Sequence, residues 1–137
     1  MAVVEELIRV ERTGEVSFGN FELEEKAKVD NFEYNGDIYK VKTCKEITKL
    51  EKNEIFVYES VPGTAVIGFV ETDGGVKFTV EGKEDAQITL ELEDEVEYEI
   101  TINGEDAGVM KTNLGGKLTI GVVLEADTQA AVIVNKK

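Results

Sequence analysis

Apolar and polar residues alternate most clearly in residues 85–124. Ala86, Ile88, Leu90 and Leu92 form one run, Val96, Tyr98, Ile100 and Ile102 a second, and Leu118, Ile120, Val122 and Leu124 a third. A period of two sends one set of side chains to a core and the other to water, as in an antiparallel strand with one buried face. Glu93-Asp94-Glu95, Asn103-Gly104 and Asn113-Leu114-Gly115-Gly116 lie between the runs, and all are turn-formers.

The preceding residues carry the same pattern less evenly. A first strand is expected over about Leu7 to Glu11. Val16 and Phe18 before Gly19-Asn20, with Phe21 and Leu23 after, predict a hairpin or one strand with a glycine bulge. Asn35-Gly36 between Phe32/Tyr34 and Ile38–Val41 predicts a second hairpin. Residues 44–52 read either way: Ile47 and Leu50 are at helical spacing, but the flanks are rich in β-formers. Asn53-Glu54 turns into Ile55–Tyr58, a run expected to be a strand buried on both faces. Val61-Pro62-Gly63-Thr64 reads as a turn, and Ala65–Val70 as an apolar strand. Asp73-Gly74-Gly75 precedes a strand with Val76, Phe78 and Val80, and Ala130–Val134 is the last strand expected.

No segment keeps helical spacing with caps, so the fold class is all-β. Strands recurring every 8–12 residues are the mark of a sandwich or barrel. The reading divides the chain into a hairpin-rich N-terminal β unit, residues 1–72, and an immunoglobulin-like β-sandwich, residues 73–137. The first unit would be packed on the second or followed by it. The second lacks the Cys…Trp…Cys core of antibody domains. The first is too small to hold a core alone, so it must pack on its neighbour or on another subunit.

Charge narrows the partners. The 137 residues hold 29 acidic and 15 basic side chains, a net charge of −14. Such a surface repels phosphate backbones and anionic lipid heads, so no nucleic acid and no membrane is expected as a partner. The N-terminal residues reach charge at Glu5 without a long apolar stretch, and no apolar run nears the ~20 residues that span a bilayer. A cytoplasmic location is the expectation, with export by a route other than a leader left open.

Chemistry is sparse. There is no histidine, which removes the usual Ser-His and Cys-His pairs. The single cysteine, Cys44, lies between Lys42 and Lys45, where cations could activate a thiol; burial as a small hydrophobe is the preferred reading. A carboxylate pair could serve glycoside hydrolysis, but Glu91, Glu93, Glu95, Glu97 and Glu99 alternate with core residues and belong to a solvent face. Calcium could sit in the acidic turns, though EF-hand spacing is missing. No catalytic residue, metal ligand or cofactor is assigned. Lys40, Lys42, Lys45, Lys49 and Lys52 cluster within thirteen residues. They guard an edge strand, or they meet an anionic glycan or the acidic face of a neighbouring copy. The candidate binding residues are Tyr34, Tyr39, Phe56 and Tyr58, for stacking on sugars, with Lys40, Lys42, Lys45 and Lys49.

EELIRVE at 5–11, SFGNFEL at 17–23, DIYKVKTCKEITKLEKN at 37–53, FVYESVPGTAV at 56–66, EGKEDAQITLELE at 81–93 and MKTNLGGKL at 110–118 together resemble a family of small clostridial proteins. These are known as endosialidases, or endosialidase catalytic beta chains. YEITINGEDAGVMKTN is similar to immunoglobulin-like accessory domains of polysaccharide-degrading enzymes. The resemblance implies cleavage of polysialic acid. Sialidases clamp the sugar carboxylate with three arginines, since the guanidinium fork matches it. This chain has only Arg9 and Arg12, so no catalytic residue is carried over.

The expected function is therefore non-enzymatic: a β-rich structural protein that self-associates as a trimer or dimer, or as an open assembly. The alternative is a carbohydrate-binding accessory module. A small glycan hydrolase stands third.

Overall fold

The computed structural model describes residues 3–126 and 128–137, which form thirteen strands and no helix. In chain order these are β1 (Ile8–Val10), β2 (Val16–Phe18), β3 (Ala27–Tyr34), β4 (Asp37–Thr43), β5 (Thr48–Lys52), β6 (Ile55–Val61), β7 (Ala65–Thr72), β8 (Gly75–Glu81), β9 (Ala86–Glu91), β10 (Glu97–Ile102), β11 (Glu105–Lys111), β12 (Lys117–Val122) and β13 (Ala130–Lys136). They make two antiparallel sheets. Sheet A has seven strands in the order β1-β2-β7-β8-β13-β10-β11, and sheet B six in the order β12-β9-β6-β5-β4-β3. The all-β reading holds.

Both sheets draw strands from each side of the 72/73 boundary, which falls in the β7–β8 turn. One core joins them. It holds Phe18, Phe69, Phe78, Val80, Ile100 and Val132 of sheet A against Val41, Leu50, Tyr58, Ile88, Leu90 and Ile120 of sheet B. Two amphipathic sheets can hide their apolar faces only against each other, hence the sandwich. Tyr58 stands at the middle, with ring centroids 5.2 Å from Phe18, 5.6 Å from Phe78 and 6.3 Å from Phe69, all edge-on. These contacts place β6 beneath β2, β7 and β8. At one side the Tyr34 hydroxyl lies 3.2 Å from where a Cβ of Gly14, in the β1–β2 turn, would stand. The other side therefore belongs to β11 and β12.

Hairpin chemistry repeats three times. Asn35-Gly36, Asn53-Glu54 and Asn103-Gly104 each have both residues at positive φ, which matches the twist of the strands they join. Glu54 at φ 68 is the costly one. Asn53 fixes that turn: its Oδ1 accepts from the Ile38 N–H at 3.0 Å and its Nδ2 donates to Asp37 at 2.9 Å.

Two local expectations are corrected, and one strand is added. Gly19-Asn20 is not a hairpin turn. β2 ends at Phe18, and the chain crosses from sheet A to sheet B, because Phe18 and Phe21 are both buried in the interior. Gly19 allows the crossing at φ 100; a Cβ there would meet the Thr64 carbonyl oxygen at 2.4 Å. Ile55–Tyr58 is not buried on both faces: Ile55 is 58% exposed and only Tyr58 is fully interior. Glu105–Lys111, which carries no alternation, is a strand.

Candidate functional site

The hydroxyl-bearing side chains that converge do so in the core. Tyr58, Ser60, Thr43, Thr48 and Thr64 are all fully buried. Thr64 Oγ1 lies 2.8 Å from both the Tyr58 phenol and the Ser60 hydroxyl. Thr48 Oγ1 donates to the Thr64 carbonyl at 2.7 Å and pairs with Thr43 Oγ1 at 2.8 Å, which accepts from the Asn20 N–H at 2.9 Å. Burial raises the Tyr58 phenol above its ordinary value. The network is satisfied and shut off from solvent, so it ties the β6–β7 crossing to β4 and β5 and is closed to a substrate. Cys44 is likewise buried. Among the described residues, no group of three or more His, Cys, Asp or Glu could hold a metal ion.

The candidate binding residues part company. Tyr58 belongs to the core, and Tyr39 is buried beside it at 9% exposure, its phenol raised by burial. Tyr34 is half-buried against Gly14. Lys45 sits in the loop after β4, its Nζ 2.6 Å from Glu24. That pair is open to water; the nearby ammonium holds the Glu24 carboxyl below its ordinary value. Lys52 bonds Glu71 at 2.9 Å.

Lys40, Lys42 and Lys49 come together on the outer face of sheet B, because Tyr39, Val41 and Leu50 take the inner positions between them. The register adds a residue the sequence reading did not single out. Lys28 of β3 lies directly opposite Lys42 of β4, and Lys42 directly opposite Lys49 of β5. Three ammonium groups thus form one cross-strand row, an arrangement that costs stability. Glu59 of β6 continues the row directly opposite Lys49, and the other counter-charges are loose. Lys28 and Lys40 each lie 3.8 Å from Asp30, and Lys49 lies 3.7 Å from Glu51. Lys42 has no carboxylate partner among the described residues. The row cannot be edge protection as a whole, since β4 and β5 have neighbours on both sides and only Lys28 is on an edge strand.

Phe56 lies beside this row. A bulge between Leu50 and Glu51 sets it opposite Glu51, and Lys49 and Lys117 stand 5.9 and 5.1 Å from its ring centroid. Lys40, Lys42, Lys49 and Glu51 close a dimple of about 40 Å³, room for roughly one water, and a wider hollow of about 660 Å³ opens beside it between Asp30, Tyr39, Lys40, Glu51 and Asn53. Lys28, Lys42 and Lys49 line no part of that wider hollow, so the row itself suits a broad partner more than a small molecule. Another cleft of about 390 Å³ opens at the end of the sandwich between Phe56, Val57, Leu92 and Tyr98, rimmed by Glu71, Asp73, Glu91 and Glu93.

The far side of the molecule has the opposite character. β11 is an edge strand paired only with β10, and every one of its residues is exposed. It overhangs sheet B, so even Met110, opposite the buried Tyr98, has open space below it and is 38% exposed. Residues 91–117 hold eight carboxylates against two lysines, Lys111 (opposite Glu97) and Lys117, whereas residues 26–52 hold seven lysines against five carboxylates.

No protein-family profile, curated protein or solved structure matches the chain.

Proposed function

We propose that this chain is a non-enzymatic structural module that associates with copies of itself. The observation that carries the reading is β11: a seven-residue edge strand exposed along its whole length, with Val109 and Met110 uncovered and no strand on its outer side, where only the Gly108 N–H is seen to be capped, by Asp106 Oδ1 at 2.8 Å. Edges of this kind are normally shortened, bulged away or covered, because they pair readily. β11 itself carries a bulge at Ala107, the residue its pairing with Ile100 and Thr101 skips, but it has no cover. A second copy is the occupant because its charge is complementary: the strand lies at the acidic side, and the lysine row lies at the opposite side of the same molecule. Unlike patches at opposite sides give a heterologous contact, which closes into a ring or runs on as an open assembly. A mass measurement in solution tests this. Particles larger than the 15.1 kDa chain support it, and a monomer at every concentration refutes it.

One observation favours a second reading. Lys49 and Lys117 both stand over the Phe56 ring, so the aromatic gathers two cations that together fit the carboxylate of an acidic sugar. Titration with oligomeric sialic acid tests it: saturable heat lost in Phe56→Ala supports the reading, and no heat removes it.

A further inference from the structure

We infer that the lysine row of sheet B is the seat for the acidic β10–β11 edge of the next copy; this rests on the self-association proposed above and names the two surfaces that meet. The row is built at a cost. Lys28, Lys42 and Lys49 face one another across adjacent strands, and Lys42 has no carboxylate partner among the described residues. Glu59 of β6 lies directly opposite Lys49 and relieves that end of the row, so the repulsion centres on Lys28 and Lys42, where a covering anion would stabilise it. The dimple among Lys40, Lys42 and Lys49 holds about a single water, and the wider hollow of about 660 Å³ beside it is not lined by Lys28, Lys42 or Lys49, which favours an extended anion over a small one on the row itself.

The matching anions are on the same chain. On β10, Glu97 and Glu99 alternate with buried Tyr98 and Ile100, so both carboxylates point away from the core; Lys111 of β11 lies opposite Glu97, and Glu99 faces uncharged Val109. Glu105 and Asp106 follow at the start of β11, both exposed. This edge cannot reach its own lysine row: β10 and β11 end sheet A at the side of β12, while β3, β4 and β5 end sheet B at the side of the β1–β2 turn. The pairing therefore has to be made between molecules.

The charge distribution gives this contact an unusual salt response. At about 0.01 M salt, with a Debye length of ~30 Å, two whole molecules of charge −14 repel each other. Near 0.15 M the length falls to ~8 Å, so only groups in contact sense one another; near 1 M, at ~3 Å, the contact itself is screened. Association is expected to be strongest at intermediate salt. A contact driven by apolar surface alone would only strengthen as salt rises.

Charge exchange tests the inference. Lys42→Glu/Lys49→Glu reverses the row, and Glu97→Lys/Glu99→Lys reverses the edge. All four positions lie on outward faces, and circular dichroism checks that each protein folds. Sedimentation velocity of each alone should show association weakened by roughly tenfold or more, as expected for several exposed pairs lost together. An equimolar mixture should reassemble, since each protein then meets a complementary surface on the other. If the unaltered protein assembles and both reversed proteins assemble equally well, the inference fails while self-association stands. If the reversed proteins are monomeric and their mixture stays so, the inference also fails. If the unaltered protein is monomeric at every salt concentration, self-association itself fails and the inference with it.

Discussion

Thr64→Val tests how the buried hydroxyl network holds the sandwich. Valine keeps the shape of threonine and removes one oxygen. In the native protein that oxygen lies 2.8 Å from both the Tyr58 and the Ser60 hydroxyls, and all three residues are fully buried. Without it, two hydroxyls lose their common partner where no water reaches. The Ser60 hydroxyl also acts on the Tyr58 phenol, so the two can turn toward each other. The loss is then nearer one unsatisfied group than two, about 1–3 kcal/mol. For a chain of this length that corresponds to a fall in Tm of roughly 3–10 °C. Urea unfolding of dilute protein should show a lower midpoint with an unchanged slope. The comparison is Tyr58→Phe/Ser60→Ala/Thr64→Val, in which donors and acceptors leave together. Its cost should be smaller than the sum of the three single changes. A Thr64→Val protein as stable as the parent, or a triple variant whose losses simply add, would refute the reasoning.

Three further outcomes are expected. Gly63→Ala should fold poorly, with a Tm loss beyond that of Thr64→Val, because a Cβ there would stand 1.9 Å from the Cys44 carbonyl oxygen, a backbone atom; soluble yield and a thermal melt check it. The Tyr58 phenol is raised by burial, so its contribution to stability is full below the ordinary tyrosine value and is lost as pH climbs from there toward the raised one; in an absorbance titration at 295 nm it should stay silent until the protein unfolds, and ionisation of all four tyrosines in the native state would contradict this. The Ser17 hydroxyl, with Arg9 beside it, holds the Glu11 carboxyl below its ordinary value, which adds stability above the ordinary carboxylate range and loses it as pH falls through the lowered value; Ser17→Ala should therefore show a smaller drop in urea midpoint between about pH 7 and pH 3 than the parent, and an equal drop would show that the bond contributes nothing.

Much of the fold was legible because burial writes a period of two into a strand. Ala86–Leu90, Tyr98–Ile102 and Leu118–Val122 each hide one face, and β9, β10 and β12 stand where the alternation placed them. Asn35-Gly36 was legible because its residues tolerate positive φ where the turn needs it. β11 left no trace for the same physical reason: it hides neither face, so nothing constrains Glu105–Lys111 to alternate. Gly19-Asn20 misled because a glycine that lets the chain cross between sheets has the same local signature as one that lets it reverse. The lysine row was half visible. Lys40, Lys42 and Lys49 are close in sequence, but Lys28 joins them only through the β3–β4 register, which passes a bulge between Val29 and Phe32. Which strands lie at the edges depends on sheet order. That order places Lys42 and Lys49 on interior strands and leaves β11 bare, and local spacing carries no record of it.

The native mass, followed by sedimentation equilibrium from low to high salt, tests most directly whether unlike sides of this molecule seek each other. The prediction is a particle several times 15.1 kDa near 0.15 M salt, dissociating at about 0.01 M and again at about 1 M. A mass of 15.1 kDa throughout would contradict it.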